Sequence, residues 1–506
     1  MRRYWIVALL LLCMTPLSAQ VEFNVQVRES AGDLRDWWEQ QERLDPTRDA
    51  IPAGLRARYT FLVRTRLIKA LATGQARRDP EIRGLYTLRM ADGDARQMRT
   101  LLENSGAFEF VEPNRTVQLD WHPQDATPPN DDSIAAQWYH PFVRTFEAWE
   151  TTRGRRQIKI GIIDTGLDYD HPEFEGQVAI NSAEDANGNG RFDPWPSTEA
   201  RNGVMGDFDG IDNDNNGFAD DVIGYDFTDQ PRSAVGGDIL FPDPDPLDDN
   251  NHGTLVAGVI GAKPDNSFGG TGLAPGCEMV VLRAFSSQGD GEDDDIARAI
   301  IYGADNGVQV LNLSFGDNVP SNTTHAAIRY AYSKGVIMVA SAGNGTGDEI
   351  HYPSGYDEVI SVSASAADIE TGREFLWPLS SFGVTVDLCA PGSGILTTTI
   401  RDTLADGTVE AFTRTQGTSF SAPMVASAAG LLLSERSYMT PQQVRGILTS
   451  STDDISTEGW DHLTGAGRLN MERALSIIGT SNVQLLSPQN DGGSRGDSVW
   501  ITGTVL

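Results

Sequence analysis

Between residues 130 and 478, short continuous apolar runs alternate with helical patterns, and this alternation restricts the fold more than any other feature. The apolar runs lack polar alternation, as expected of strands buried on both faces, and lie at 158–163, 279–282, 308–313, 336–340 and 359–362. Helical patterns at 296–306 and 325–334 separate some of these runs. The sequence therefore predicts an α/β domain at 126–479, with a parallel sheet covered by helices on both faces.

The first 19 residues have the layout of a signal peptide. Arg2 and Arg3 precede an apolar stretch at 6–14, and residues 17–19 form a cleavage site. The apolar stretch is too short to anchor the chain in a bilayer. We therefore expect a secreted protein, extracellular or at the cell surface or in the periplasm, without a stable membrane anchor. An uncleaved anchor or a buried helix is the alternative interpretation.

The charge balance limits the classes of partner. The chain has 39 Lys and Arg against 71 Asp and Glu, a formal net charge of −32, which opposes binding to nucleic acid or anionic membranes. Such acidity suits a protein with many carboxylates for metal ions, or one with a solvated acidic surface. The sequence leaves open whether Cys277 and Cys389 pair, since an exported protein forms disulfides but both residues lie in apolar runs.

The segment 20–125 is a separate unit, because it is nearly neutral while the rest of the chain is acidic. Residues 21–125 hold 16 basic and 17 acidic side chains. Strand patterns at 84–88 and 108–111 flank a helical pattern at 92–104, which predicts a small α+β module.

The last segment, 480–506, has strand patterns at 483–487 and 499–505. These patterns predict the start of a C-terminal β-sandwich module. The alternative is that the strands extend the main domain.

Three residues carry the predicted chemistry. Asp164 ends a buried strand, while His252 and Ser419 each begin a helix, and such positions meet at one edge of an open α/β sheet. A serine hydroxyl needs a base to become a nucleophile, and a histidine serves when a buried carboxylate holds its ring. Each residue alone has a structural explanation as a turn or cap residue, but together they predict a catalytic triad.

The flanks of these residues resemble the signature segments of the subtilases, namely 164–166, 252–254 and 417–423 in the order Asp, His, Ser. The resemblance runs from about residue 130 to 478. It implies a subtilisin-like fold and a secreted serine endopeptidase that hydrolyses protein or peptide substrates through an acyl-enzyme. The segment 342–344 resembles the family's oxyanion segment, which implies that Asn344 stabilises the oxyanion.

The resemblance also implies a propeptide and a substrate cleft. The segment 84–119 resembles the family's inhibitory propeptide, so we expect a self-processing zymogen with its own propeptide as an intramolecular inhibitor. His351 falls near the base of S1, the pocket for the residue just before the cleaved bond. Two edges would pair with an extended peptide, and Ile296 with Phe315 would line the S4 pocket; the substrate-binding residues implied are Gly289, Gly291, Ile296, Ser314, Phe315 and Gly316.

An acidic insertion at 184–250, with 17 acidic and 3 basic side chains, predicts bound Ca²⁺. Two of its segments have oxygen-bearing side chains at alternate positions followed by glycine, as in EF-hand loops, although both lack the Glu at position twelve. The predicted ligands are Asp185, Asn187, Asn189 and Asp193 in the first loop, and Asp212, Asp214, Asn216 and Asp220 in the second. Solvated polar loops are the alternative. The family resemblance implies a further calcium site at Asp131, Glu173 and Asn266.

A second class of function stays open at this point. The chain could be a non-catalytic, calcium-dependent adhesion or binding protein on a subtilase fold. The complete set of Asp164, His252, Ser419 and Asn344 argues against it, because a binding protein has no need of all four.

Overall fold

The computed structural model describes residues 128–229, 241–368, 371–403 and 409–477, together with short strands on either side of them. The chain divides into two compact units, Met1–His122 and Pro123–Leu506. Within the described residues, no helix is both long and apolar enough to cross a membrane.

The N-terminal unit contains a four-stranded sheet. Its strands are β1 (Gln20–Val27), β2 (Ala76–Arg78), β3 (Leu85–Ala91) and β4 (Phe108–Pro113), in the order β2-β3-β1-β4. The two strands predicted in this region are β3 and β4, and both pair antiparallel with β1. The sequence analysis missed β1 and β2, and the helix predicted at 92–104 lies outside the described residues.

The second unit is built on an eight-stranded sheet with the order β13-β12-β11-β10-β5-β9-β8, in which β14 also pairs with β12. All neighbours are parallel except β12 and β13. A short pair, β6 and β7, and an antiparallel pair, β15 and β16, lie outside this sheet. The strands are β5 (Lys159–Asp164), β6 (Ala200–Arg201), β7 (Val204–Met205), β8 (Gly224–Asp226), β9 (Glu278–Arg283), β10 (Val310–Leu313), β11 (Ile337–Ser341), β12 (Val359–Asp368), β13 (Arg373–Leu376), β14 (Leu388–Pro391), β15 (Ile395–Thr403) and β16 (Val409–Thr415).

Eight α-helices accompany these strands in the described part of the second unit. They are α1 (Tyr139–Val143), α2 (Thr145–Trp149), α3 (His252–Gly261), α4 (Asp293–Asp305), α5 (Asn322–Ser333), α6 (Thr418–Glu435), α7 (Pro441–Ser450) and α8 (Met471–Ser476). The predicted helices at 296–306 and 325–334 correspond to α4 and α5, which begin three residues earlier than the apolar pattern indicated.

The central strands are buried on both faces, as their continuous apolar runs predicted. Ile160 and Ile162 of β5 join the core formed with α3 and α6, while Ile163 joins the core formed with α4 and α5. The same alternation occurs in β10 and β11. The predicted α/β fold, a parallel sheet with helices on both faces, is therefore confirmed.

The register of the central strands brings their carboxyl ends level with one another. Ile163 of β5 pairs with Leu313 of β10, which in turn pairs with Ala340 of β11. The next residue along each strand thus falls in one row at the edge of the sheet. That row starts with Asp164, and ligand sites of open α/β sheets form at such an edge.

The C-terminal segment contains an antiparallel pair, β17 (Val483–Ser487) and β18 (Thr502–Val505). Both strands fall where the sequence analysis expected them. The β-sandwich module to which they were assigned stays a prediction. Cys277 and Cys389 are both buried free thiols.

Candidate active site

The carboxylate of Asp164 and the ring of His252 are hydrogen-bonded. His252 Nδ1 lies 2.8 Å from Asp164 Oδ1, and the Asp164 side chain is only 3% exposed. A carboxylate only accepts hydrogen bonds, so Nδ1 carries the proton and Nε2 is left as the basic nitrogen. Burial lowers the pKa of His252, but the Asp164 carboxylate and the more distant Asp248 raise it, and the net shift is upward.

Asp248 organises the loop that leads into the His252 helix. Its Oδ1 accepts hydrogen bonds from the Thr165 hydroxyl and from the backbone N–H groups of Asn250 and Asn251, each at 2.9 Å. Its Oδ2 accepts from the backbone N–H (2.9 Å) and hydroxyl (2.7 Å) of Thr254. One buried carboxylate therefore ties the end of β5 to the first turn of α3 and satisfies N–H groups that the helix start leaves open.

Asn251 immediately precedes His252 and has a left-handed backbone, with φ of 100°. Its side-chain oxygen accepts hydrogen bonds from the Thr399 hydroxyl (3.0 Å) and the Ile400 N–H (2.8 Å), both on β15. Such a conformation costs a non-glycine residue free energy, and it persists where its surroundings hold it. The β15–β16 pair thus helps to fix the position from which the His252 ring projects.

Ser419 is the second residue of α6, whose first turn contacts the ends of two central strands. The Ser419 hydroxyl donates to the Ser314 carbonyl oxygen at 3.1 Å, and the Ser314 hydroxyl donates to the Ser419 carbonyl oxygen at 2.8 Å. The ring of Phe420 lies against His252, with ring centroids 5.7 Å apart. These contacts bring the helix start that carries Ser419 to the edge where Asp164 and His252 meet.

Asn344 follows the end of β11 and is bonded to the same helix start. Its Oδ1 accepts from the backbone N–H and from the hydroxyl of Thr418, both at 3.0 Å. Because the oxygen of the amide is occupied in this way, the Nδ2 group remains available as a donor beside Ser419. An amide donor at this place suits an oxygen that becomes negatively charged during acyl transfer.

The model of the subtilase family matches residues 155–467, which is more than half of the chain and spans all four of these residues. The chain belongs to the subtilase family. As a member it is a serine endopeptidase, and its substrates are peptides.

Several characterised proteins are similar to this subtilase. The thermophilic serine proteinase of Bacillus sp. strain AK1 is 31% identical over 72% of this chain and 73% of its own length. Thermitase of Thermoactinomyces vulgaris is 29% identical over 69% of this chain and 99% of its own length. The structure of a protease from Pseudoalteromonas arctica has a TM-score of 0.53 and 23% identity, covers 69% of this chain and 99% of that one, and shows the same fold.

The predicted substrate-binding residues lie on two segments. Ser314, Phe315 and Gly316 follow β10, and the Phe315 ring packs on Phe285 with centroids 4.7 Å apart, beside the buried Ile296. Gly289, at φ of +79°, lies within a turn closed by a 2.9 Å hydrogen bond from the Ser286 N–H to the Asp290 carbonyl, and Gly291 directly follows this turn. Their roles in substrate binding stay predictions.

The calcium site implied by the resemblance has one unusual carboxylate. Glu173 is fully buried, and neither of its oxygens makes a hydrogen bond of ordinary geometry within the described residues. Burial raises its pKa to about 8, the nearby Asn266 partly offsets this shift, and the Asp131 carboxylate adds to it. The structure therefore brings the three predicted ligands together. A buried carboxylate whose oxygens lack hydrogen bonds of ordinary geometry fits a bound cation, since a poorly compensated charge is costly to bury.

The four predicted residues of the first insertion loop also converge. Asp185 accepts from the backbone N–H groups of Gly188 (2.8 Å) and Gly190 (2.7 Å), and the side-chain amides of Asn187 and Asn189 donate to Asp193. Asp207, which the sequence analysis did not single out, joins them.

Asp207 is fully buried and accepts from the Asn187 side-chain amide at 2.7 Å and the Asp193 N–H at 2.7 Å. Burial raises its pKa to about 6.

The second loop has a different set of carboxylates at its centre from the one predicted. Asp214 lies in a cluster with Glu184 and Asp221, each offering an oxygen within 4.8 Å of the others. Asp220 instead points back to the N–H groups of Asp209 and Gly210.

The remaining predicted ligands hold the turn of the second loop. Asp212 accepts from the N–H groups of Asn216 (3.0 Å) and Gly217 (2.9 Å), and the Asn216 amide donates to Asp221 at 2.8 Å.

Backbone hydrogen bonds join the chain on the two sides of the insertion, beside the active site. The Leu167 N–H donates to the Pro246 carbonyl (3.0 Å), and the Asp248 N–H donates to the Leu167 carbonyl (3.2 Å). These bonds close the chain just after Asp164 and just before His252, and so help to hold the two residues together.

The sequence analysis missed Asp248, Glu184 and Asp221 for one reason: each acts through backbone N–H groups or residues outside its own motif. A signal existed for each. Asp248 opens the polar run before His252, Glu184 directly precedes the first loop, and Asp221 directly follows the last predicted ligand of the second.

We predict that Asp248→Asn moves the acid limb of the kcat/KM profile to lower pH. The Asp248 charge raises the pKa of His252, so its removal lowers that pKa, and the base stays neutral to lower pH. The new amide would also face N–H donors, so kcat should fall on the order of tenfold. The measurement is kcat/KM from pH 4 to 9, with the exposed Glu410→Gln as a control of equal charge change. An acid limb that stays in place or rises would contradict this reading of Asp248.

Proposed function

We propose that Asp164, His252 and Ser419 are the catalytic triad of a secreted, calcium-stabilised endopeptidase made as a self-processing zymogen. The 2.8 Å hydrogen bond from the His252 ring to the buried Asp164, at the sheet edge that also holds Ser419, is the observation that carries the proposal. It supports the proposal because it fixes the ring and leaves Nε2 as a base.

The proposed reaction begins when the Ser419 hydroxyl leaves the Ser314 carbonyl and attacks the substrate carbonyl carbon. His252 Nε2 takes the serine proton, and the Asp164 carboxylate stabilises the imidazolium that forms. His252 then gives that proton to the leaving amine, so the peptide bond breaks and an ester to Ser419 remains. Water activated by His252 hydrolyses the ester and restores the hydroxyl.

Asn344 is proposed to stabilise the oxyanion of the tetrahedral intermediates. Its amide orientation supports this role, because two hydrogen bonds from Thr418 occupy the oxygen and leave Nδ2 to donate. The backbone N–H of Ser419, at the start of α6, is a second donor with the helix dipole behind it.

The rival function is calcium-dependent binding without catalysis. A fluorophosphonate probe separates the two, because it reacts with a serine only when a base activates the hydroxyl. Stoichiometric labelling of Ser419 supports the peptidase, whereas an unlabelled, folded protein would favour the binding protein.

We predict that Ser419→Ala abolishes peptide hydrolysis and probe labelling without unfolding the protein, because the change removes one oxygen atom from a half-buried position. Asn344→Ala should lower kcat by about 100- to 1,000-fold with a small effect on KM, the range known for loss of such a donor from a subtilisin. Steady-state kinetics and circular dichroism measure both results. Near-native activity in Ser419→Ala would refute the mechanism.

Secretion and zymogen processing are the next part of the proposal. The signal-like residues 1–19 and the separate N-terminal unit ending at His122 support it. We expect the enzyme to cut its own prosegment within residues 116–129, of which 116–127 lie outside the described residues.

We predict that purified wild-type precursor removes its own prosegment, while Ser419→Ala keeps it. Intact mass and N-terminal sequencing over time measure the cleavage. Adding a trace of mature enzyme to Ser419→Ala shows whether the site is still accessible to cleavage by another molecule. Loss of the prosegment from pure Ser419→Ala alone would exclude self-processing.

Calcium is proposed to stabilise the fold without taking part in the reaction. The hard oxygen ligands, without Cys or His, favour Ca²⁺ over zinc or copper. Glu173, Asp131 and Asn266 would hold one ion, the first insertion loop with Asp207 another, and the second loop with Glu184 and Asp221 a third. When bound, the ions neutralise carboxylates that otherwise repel one another. The catalytic residues lie outside these groups, so calcium should affect lifetime more than rate.

We predict that millimolar Ca²⁺ raises Tm relative to EGTA, because an ion bound only by the folded state adds about 2.7 kcal/mol per site at 100 times Kd. The triple variant Asp185→Ala, Asp212→Ala, Asp214→Ala should lose part of this shift. Glu173→Gln should lose another part, yet be no less stable than wild type in EGTA, because it removes an unpaired buried carboxylate. Exposed Glu410→Ala is the control. A Tm indifferent to calcium, or a full response in both variants, would contradict these sites.

A further inference from the structure

Two segments that flank the start of α6 each carry a glycine close to Ser419. Gly316 lies two residues beyond Ser314, which holds the Ser419 hydroxyl, and Gly343 directly precedes Asn344, which holds Thr418. The segments follow β10 and β11, which are neighbouring parallel strands. Because glycine has no side chain, a slot remains between the two segments at Gly316 and Gly343.

The imidazole of His351 occupies this slot. A Cβ atom placed on Gly316 would lie 2.4 Å from Cε1 of His351, and one placed on Gly343 would lie 2.9 Å from Cδ2. Both distances are shorter than a van der Waals contact, so the ring fills the space that both glycines vacate. One side chain from outside the two segments thus closes the slot that they form.

The ring is held in this position by its neighbours. His351 Nδ1 lies 3.2 Å from the Ser341 carbonyl oxygen, and the His351 carbonyl accepts from the Gly355 N–H at 2.7 Å. The next residue, Tyr352, exchanges two backbone hydrogen bonds with Asp317, at 2.7 and 2.9 Å, which ties it alongside Gly316. Turning the ring out of the slot would break its bond to Ser341, while the backbone bonds hold the main chain of this segment beside Gly316.

We infer that His351 restricts this subtilase to substrates with a short side chain, such as that of Gly, Ala or Ser, just before the cleaved bond. The inference rests on the proposed triad and deepens it. The attacked carbonyl must lie between Ser419 and the Asn344 amide, so its own side chain points between the segments that carry Ser314 and Asn344. A short side chain fits above the imidazole, whereas an aromatic side chain needs the volume that the ring occupies.

The test compares peptides that differ only in this residue, Ala against Phe, with kcat/KM referred to active sites titrated by a fluorophosphonate. Wild type should favour Ala by at least about tenfold. His351→Gly should raise kcat/KM for Phe by about 10- to 200-fold, the range for apolar pocket contacts, and leave Ala within about threefold. His351→Gln, of similar length, should keep the wild-type preference. Exposed His462→Gly is the matched control and should change neither value.

The outcomes separate this inference from the proposed mechanism. Wild type that labels with the probe but cleaves Phe as fast as Ala overturns the inference alone, as does His351→Gly with an unchanged ratio. Titration counts only competent sites, so partial unfolding of a variant does not distort the ratio, and His351→Ala provides a second opening of the slot. Absence of both labelling and cleavage in wild type overturns the triad itself.

Discussion

The register of the central parallel strands is the constraint on which the active site depends. Ile163, Leu313 and Ala340 are paired across β5, β10 and β11, so the residues that follow them share one level. A shift of β5 by one residue would turn Asp164 toward the opposite face and exchange the apolar sets that face the two helical layers. Both faces of the sheet are buried, so neither face could place the displaced side chains in solvent. The packing of the core thus fixes the position of the acid.

The sequence predicted the central strands, and it singled out the proposed site residues, because both depend on local signals. A continuous apolar run indicates a strand buried on both faces, and the residue at its end is placed by the fold class. The paired strands β15 and β16 escaped prediction because they are polar and threonine-rich. Their role depends on contacts with residues such as Asn251, almost 150 positions earlier.

The predicted calcium ligands, which stay a prediction, omit neighbouring acidic residues for a related reason. A motif with alternating oxygens identifies a loop, but the groups that complete it come from elsewhere in the chain. Buried Glu184 accepts N–H groups from Asn213, Asp214 and Asp220, and so serves the second loop from just before the first. Glu173 differs, since its oxygens have no such donors in the described structure. Both carboxylates are fully buried, so they differ in their hydrogen-bond donors, which a sequence does not display.

Only part of the stretch between Asp164 and His252 is loop. Val222 and Ile223 belong to the core, and β8 pairs with β9 in the central sheet. The two acidic loops lie between Asn181 and Val222, which are joined by a 2.7 Å hydrogen bond from the Asn181 N–H to the Val222 carbonyl. The entropy cost of a loop grows only slowly with its length, so a longer or shorter segment between these two residues changes stability little as long as its ends stay joined. Lineages in different salt or temperature regimes could therefore exchange the acidic loops during evolution without redesigning the Asp164–His252 pair.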